Sequence, residues 1–210
     1  ASEFVDKKSG VSARLTIAAY ENAVSSAERR AIINNEKQTQ VWISDLVGII
    51  PSITGKIELV YEGEQEGPYQ VAFNLLEKAT RTQFALYFPN PDTLKKKRGK
   101  EAGDDNPYKA ITRWFDGGNH LDVFFETKDA DKAQLLYKVD GLHALVKRLH
   151  KAANETETTL LMEFVLHGLA AYSLISKKVV EGKIEFKDLM GSMLSMGSQS
   201  FSEEEENDFN

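Results

Sequence analysis

Along VSARLTIAAYENAVSSAERRAII, residues 11 to 33, small and apolar side chains return every three or four positions. They are Leu15, Ala18, Ala19, Ala23, Ala27 and Ala31, with charge on the opposite face. That period predicts an amphipathic helix, closed by Asn34 and Asn35. In VWISDL, Val41 and Ile43 alternate with polar neighbours, and Ser44 or Asp45 suits an N-cap. The pattern predicts a short extended piece entering a helix that Pro51 interrupts or ends. GPYQVAFNLLEKATRTQFALYF predicts a second long helix, with Val71, Leu75, Ala79 and Leu86 along one side and Pro68 in its first turn.

The periodicity then stops. PNPDTLKKKRGKEAGDDNP packs three prolines, two glycines, five basic residues and four acids into nineteen positions. This composition predicts a linker or surface loop over 90–106. Acids directly after the basic run Lys95 to Lys100 favour a solvated loop over a phosphate contact.

Beyond it, YKAITRWFDGGNHLDVFFE predicts a short helix, a turn at Gly117–Gly118, and an apolar segment that reads as a strand or a buried turn. Leu136, Val139, His143, Val146, His150 and Ala153 step by three and four, a helical seam that Gly141 is placed to split. Asn154 and Glu157 have capping-box spacing. They open a helix predicted to pass through Leu161, Phe164, Gly168, Tyr172, Ile175 and Val179. Lys177 and Lys178 fall in its last turn, and Gly182 is its stop. VWISDLVG (41–48) and IEFKDLMG (184–191) share one apolar and Asp-Leu-x-Gly pattern, read as an extended step into a capped helix. Eight residues are too few to establish a duplication.

Composition narrows the chemistry. The chain has 210 residues, 41% hydrophobic and 28% charged, ordinary for a globular protein. No apolar run approaches a membrane span, and no basic-then-apolar leader opens the chain. The absence of cysteine excludes disulfides, thiolate metal sites and cysteine nucleophiles, and fits a cytoplasmic location. The net charge of −6 falls to about −1 once Glu203 to Glu206 and Asp208 are set aside. The body therefore has no basic field for nucleic acid. The acidic segment 198–210 reads as a disordered, solubilising tail, with partner binding as the other reading.

No complete catalytic set emerges. Gly55–Lys56 is not a phosphate loop, because Ile50 stands at the first glycine position and Ile57 follows the lysine. His143 and His150 are seven apart, roughly 10.5 Å along a helix, too far for one metal. Glu163 and His167 have ligand spacing without a partner cluster, so hydrogen-bonded core histidines are the expected role and no metal site is assigned. In KIELVYEGEQEG, Glu58, Glu62, Glu64 and Glu66 surround Leu59, Val60 and Tyr61. They read as a solvated, acid-rich helix end or as an acidic surface for a cationic residue of a neighbouring subunit.

Taken together, SGVSARLTIAAYENAVSSAERRAI, DLVGIIPSITGKIELVYEGEQEG and the YFP closing the next helix resemble one protein family. It is the region after the ATPase core of AAA+ proteins related to the magnesium chelatase ATPase subunit, in its bacterial non-photosynthetic relatives. The resemblance spans residues 9 to 89, is partial from 107 to 150, and does not reach the tail. It implies a mainly α fold: a helical lid-like bundle over 1–89, a linker over 90–106, a C-terminal helical region over 107–197 and the tail. In that family the arginine of GVSAR is the sensor-2 residue, which places Arg14 against the terminal phosphate of ATP. ATP and Mg2+ are then implied for the intact protein, and neither for this stretch alone, which lacks Walker A and Walker B segments. The implied partners are other subunits of an AAA+ ring and an unidentified protein substrate, without nucleic acid or membrane. A stand-alone helical interaction module is the alternative reading.

Overall fold

The computed structural model describes residues 3–6, 13–96 and 106–190. The acidic tail, and Gly10 to Ser12 ahead of Arg14, lie outside the described residues. The fold is mainly α, as the periodicity predicts, with one small sheet.

The first helix, α1, spans Ala13–Ile33. Its buried face is carried by Ala23, Ala27 and Ala31, whose small side chains let the backbone of a 3₁₀ helix, Ser44–Ile49, approach closely. At Gly48 a Cβ would stand 2.2 Å from the Ser26 Oγ, so only glycine fits this crossing unshifted. The 3₁₀ helix passes directly into α2, Ile50–Thr54. Pro51 lies in the first turn of α2 and so begins this helix rather than interrupting it; its missing N–H would have had no helical partner there. Ser44 and Asp45 do not cap: no side-chain cap bond is formed at this end.

Two further helices come next, α3 over Tyr61–Glu66 and α4 over Pro68–Tyr87. Gly67 joins them at φ 91°, a left-handed conformation that favours glycine. The face of α4 differs from the expected one. Val71, Ala72, Thr80 and Phe84 are buried, whereas Ala79 and Leu86 face solvent. Its partner decides this: Phe84 lies against Gly168 of a later helix, where a Cβ would sit 2.1 Å from the Phe84 ring. The stretch read as a linker begins with a short helix, α5, Pro91–Lys96. The Asn90 side chain accepts from the Asp92 backbone N–H at its start.

The second half contains α6 (Lys109–Asp116), β1 (Leu121–Phe124), α7 (Asp129–Tyr137), α8 (Leu142–Leu149) and α9 (Glu155–Ala171). Gly141 splits the seam between α7 and α8 at φ 77°. Asn154 and Glu157 form the expected capping box on α9. That helix stops at Ala171, eight residues before the predicted Val179. The chain then forms a hairpin: β2, Ser176–Val180, a turn at Gly182, and β3, Lys183–Lys187. Ile184 and Phe186 alternate with half-buried polar residues along β3, the period of a strand with one covered face. The antiparallel order is β1-β3-β2, with Leu121 opposite Phe186 and Lys177 opposite Phe186 on the other side.

One hydrophobic core joins both halves. It runs from Phe84 and Phe88 through Tyr108, Ile111 and Phe115 to Leu136, Met162, Leu166, Leu169, Ile184 and Phe186. A smaller cluster of Ile50, Ile53 and Ala72 lies beneath α2.

Candidate functional site

Arg14 lies exposed in the first turn of α1. The acidic candidates lie elsewhere. Glu62, Glu64 and Glu66 are exposed on α3, and Glu58 is exposed just before it. The Glu58 carbonyl accepts from the Asp6 N–H, part of a short pairing that also joins Val5 to Leu59. Glu62 and Glu66 are one helical turn apart and project along one side of α3.

The densest polar constellation is one that sequence reasoning missed. Arg30, near the other end of α1, is buried, its side chain only 1% exposed. Its Nη2 donates to Asp45 Oδ2 at 2.9 Å and to the Gln40 carbonyl at 2.9 Å. Its Nη1 donates to Thr39 Oγ1 at 3.0 Å and to Asp129 Oδ1. Asp129 also accepts from the Trp42 indole N–H at 2.7 Å. A second buried pair lies alongside: Lys132 Nζ is 3.0 Å from Glu163 Oε1, with both side chains fully buried. Lys132 further donates to Ser44 Oγ at 2.7 Å and stands 5.1 Å above the Trp42 ring. The other Glu163 oxygen accepts from the Ile43 N–H at 2.9 Å.

Segment 39–45 is thus pinned by α1, α7 and α9 together. Each buried charge meets an opposite charge and further hydrogen bonds, the condition for keeping ions in an interior. Such saturation leaves these groups committed to holding structure. The sequence signal is faint: Arg30 and Asp45 read as ordinary helix-surface and cap residues, and 84 positions separate Asp45 from Asp129.

Glu163 and His167, noted for their ligand spacing, are held by different partners. Glu163 belongs to the Lys132 pair, and no cluster of three metal-ligating side chains occurs among the described residues. His167 Nδ1 lies 3.4 Å from Lys177 Nζ, and Lys177 pairs with Glu77 of α4. Burial first, then the charges of Lys177 and Lys132, holds the His167 ring well below the usual imidazole range. Burial lowers Lys177 as well, opposed by Glu77. His150 Nε2 contacts the Tyr87 carbonyl at 3.1 Å, and the His143 ring lies 4.7 Å from that of Tyr137.

Between α1, the 3₁₀ helix and α2 there is a cleft of about 290 Å³. Ser26, Arg29, Gly48, Pro51, Tyr69 and Phe125 line it, with Arg30 and Asp45 at its polar side. Arg29 at this cleft is paired with Glu126 at 3.0 Å. No helix among the described residues is long and apolar enough to cross a membrane. No protein-family model, no curated protein and no solved structure matches this chain.

Proposed function

We propose that this chain is the lid and C-terminal region of a magnesium-chelatase-like AAA+ ATPase, with Arg14 as its sensor-2 residue. One observation carries the reading: Arg14 is exposed in the first turn of a 21-residue helix. An arginine so placed presents a permanently charged planar fork, suited to the terminal phosphate of ATP held by a separate core. Arg30 does not compete for that role, because its guanidinium is already saturated.

On this reading ATP and Mg2+ belong to the intact protein, and the setting is cytoplasmic. Ring neighbours and an unidentified protein substrate are the partners, with no part for nucleic acid or membrane. Glu62, Glu64 and Glu66, with Glu58 beside them, supply an acidic surface for a cationic group of the next subunit. Without a phosphate loop, this chain alone is expected to show no ATP turnover.

The test is paired. Arg14→Ala in the intact ATPase should lower hydrolysis substantially while the melting temperature of this chain is unchanged. Normal turnover by that variant sinks the sensor assignment. Exposed Ile17 and Tyr20, 59% and 71% accessible on the same helix, favour a second reading as a stand-alone helical interaction module. The encoding reading frame separates the two: a P-loop within roughly 250 residues upstream, about one domain, belongs to the first alone.

A further inference from the structure

His167 is buried on α9 and takes no part in the sensor role proposed for Arg14. Its Nδ1 faces the Lys177 ammonium of β2 at 3.4 Å. Its ring meets Phe186 of β3 edge-on, with centroids 5.3 Å apart. The charged groups around it are Lys177 from β2, Glu77 of α4 bound to that lysine, Lys132 from α7, and Glu163 one turn earlier on α9. The segment before and within the 3₁₀ helix presents only apolar walls here, Ile43, Leu46 and Val47.

An ammonium has donors and no acceptor, so Nδ1 must be the accepting nitrogen and the neutral ring carries its proton on Nε2. Nε2 has no hydrogen-bond partner among the described residues. A second proton on Nδ1 would point an N–H at the Lys177 ammonium and add a third cation beside Lys132. The ring therefore takes that proton far more readily once Lys177 has withdrawn. Lys177 is carried by an edge strand in which no residue is fully buried, whereas β3 is anchored by Ile184 and Phe186.

We infer that β2 is a proton-gated flap: acid favours its release from α4 and α9, because the open state lets His167 hold a second proton that the Lys177 contact resists in the closed one. The strand swings between buried Ile175 and Gly182, which has φ 77°. Release uncovers Ile43, Leu46, Phe73 and Leu76, which with Lys177 enclose a small cavity of about 10 Å³. In the open state the ring titrates near its ordinary value, about 6.5. Below that value each pH unit multiplies the open population about tenfold, and above it the population is flat.

Hydrogen exchange of the β2–β3 ladder amides, corrected for intrinsic rate, reads the open population directly. Between pH 6 and 5 their protection should fall about tenfold. In His167→Asn, which keeps an acceptor without titrating, it should stay level. A flat wild-type profile overturns the proposal. So does an unchanged slope in His167→Asn, which would assign the effect to Glu77 or Glu163. Ladder amides that exchange only in step with Val165 and Leu166 of α9 would mean global unfolding, which also overturns it. If His167→Asn does not fold, Lys177→Met supplies the same comparison: with the ammonium gone the ring protonates in place, and the slope should shrink. An undiminished slope there counts against the gate.

Discussion

The two ends of α1 carry the same residue type in opposite circumstances. Arg14 and Arg30 are separated by about 24 Å along the helix axis. Arg14 is exposed in the first turn, and Arg30 is enclosed among Thr39, Gln40, Asp45 and Asp129. The chemistry of the guanidinium is identical in both places. What differs is the cost of removing it. At the buried end two carboxylates lose the guanidinium that neutralises them out of reach of water, while the exposed end is already in contact with solvent. A permanent charge is thus part of the scaffold where it is enclosed, and contributes little to stability where solvent reaches it.

The sharpest way to break this comparison is to delete the buried member. Arg30→Ala strands Asp45 and Asp129 and should cost about 3–5 kcal/mol, the loss expected for one partner of a buried pair. Chemical denaturation of the variant measures it. A loss below about 1 kcal/mol would mean that water already enters the network. Arg30→Lys should recover only part of the loss, because an ammonium cannot span Asp45, Asp129 and the Gln40 carbonyl as a fork does.

A smaller effect is expected where the two halves meet without charge. Gly168→Ala drives a methyl into the Phe84 ring and should cost about 1–3 kcal/mol by overpacking. A Gly168→Ala, Phe84→Leu double variant should regain some of that loss if this contact sets the α4–α9 distance. Strict additivity would place the strain elsewhere.

The pH dependence comes next in size. The folded His167 ring is held below its unfolded value, so the folded state binds fewer protons than the unfolded one between the two. Stability is therefore fully present above about pH 6.5 and falls as acid is added, by about 1.4 kcal/mol per unit until the folded value is reached. Thermal melts from about pH 7.5 to 5, bracketing the ordinary imidazole value, isolate this share in the wild type and His167→Asn. Parallel curves would exclude the ring as the cause.

The smallest effect is expected at the exposed arginine. Arg14→Ala should change stability by no more than about 0.5 kcal/mol, the usual range of surface substitutions. A larger drop in the melt would make Arg14 a scaffold residue and remove the contrast with Arg30.

Local periodicity carries much of this fold. The α1 stripe of Ala23, Ala27 and Ala31, the Asn154–Glu157 capping box and the break at Gly141 all depend on residues within a few positions of one another. Hydrophobic spacing and cap chemistry therefore suffice to predict them. The β2 strand reads wrongly as helix because Tyr172, Ile175 and Val179 happen to continue the three-four spacing of α9, whereas β3 falls on the stretch read as an extended step. The alternation in KIEFK and the turn at Gly182 are the competing signals. Which side of α4 is buried depends on Gly168, 84 residues from Phe84, and not on the spacing of Leu75, Ala79 and Leu86.

By itself the sequence determined the class of fold, the positions of most helices, and the absence of a phosphate loop or any cysteine chemistry, because these rest on local pattern or on residue types present or missing. Tertiary structure alone decided which charges are enclosed. Asp45 with Arg30 and Asp129, Lys132 with Glu163, and Lys177 with His167 and Glu77 are brought together across up to 100 positions of chain. Whether a charged side chain is solvated or buried depends on what the rest of the chain folds over it, and a linear pattern carries no distance between residues so far apart.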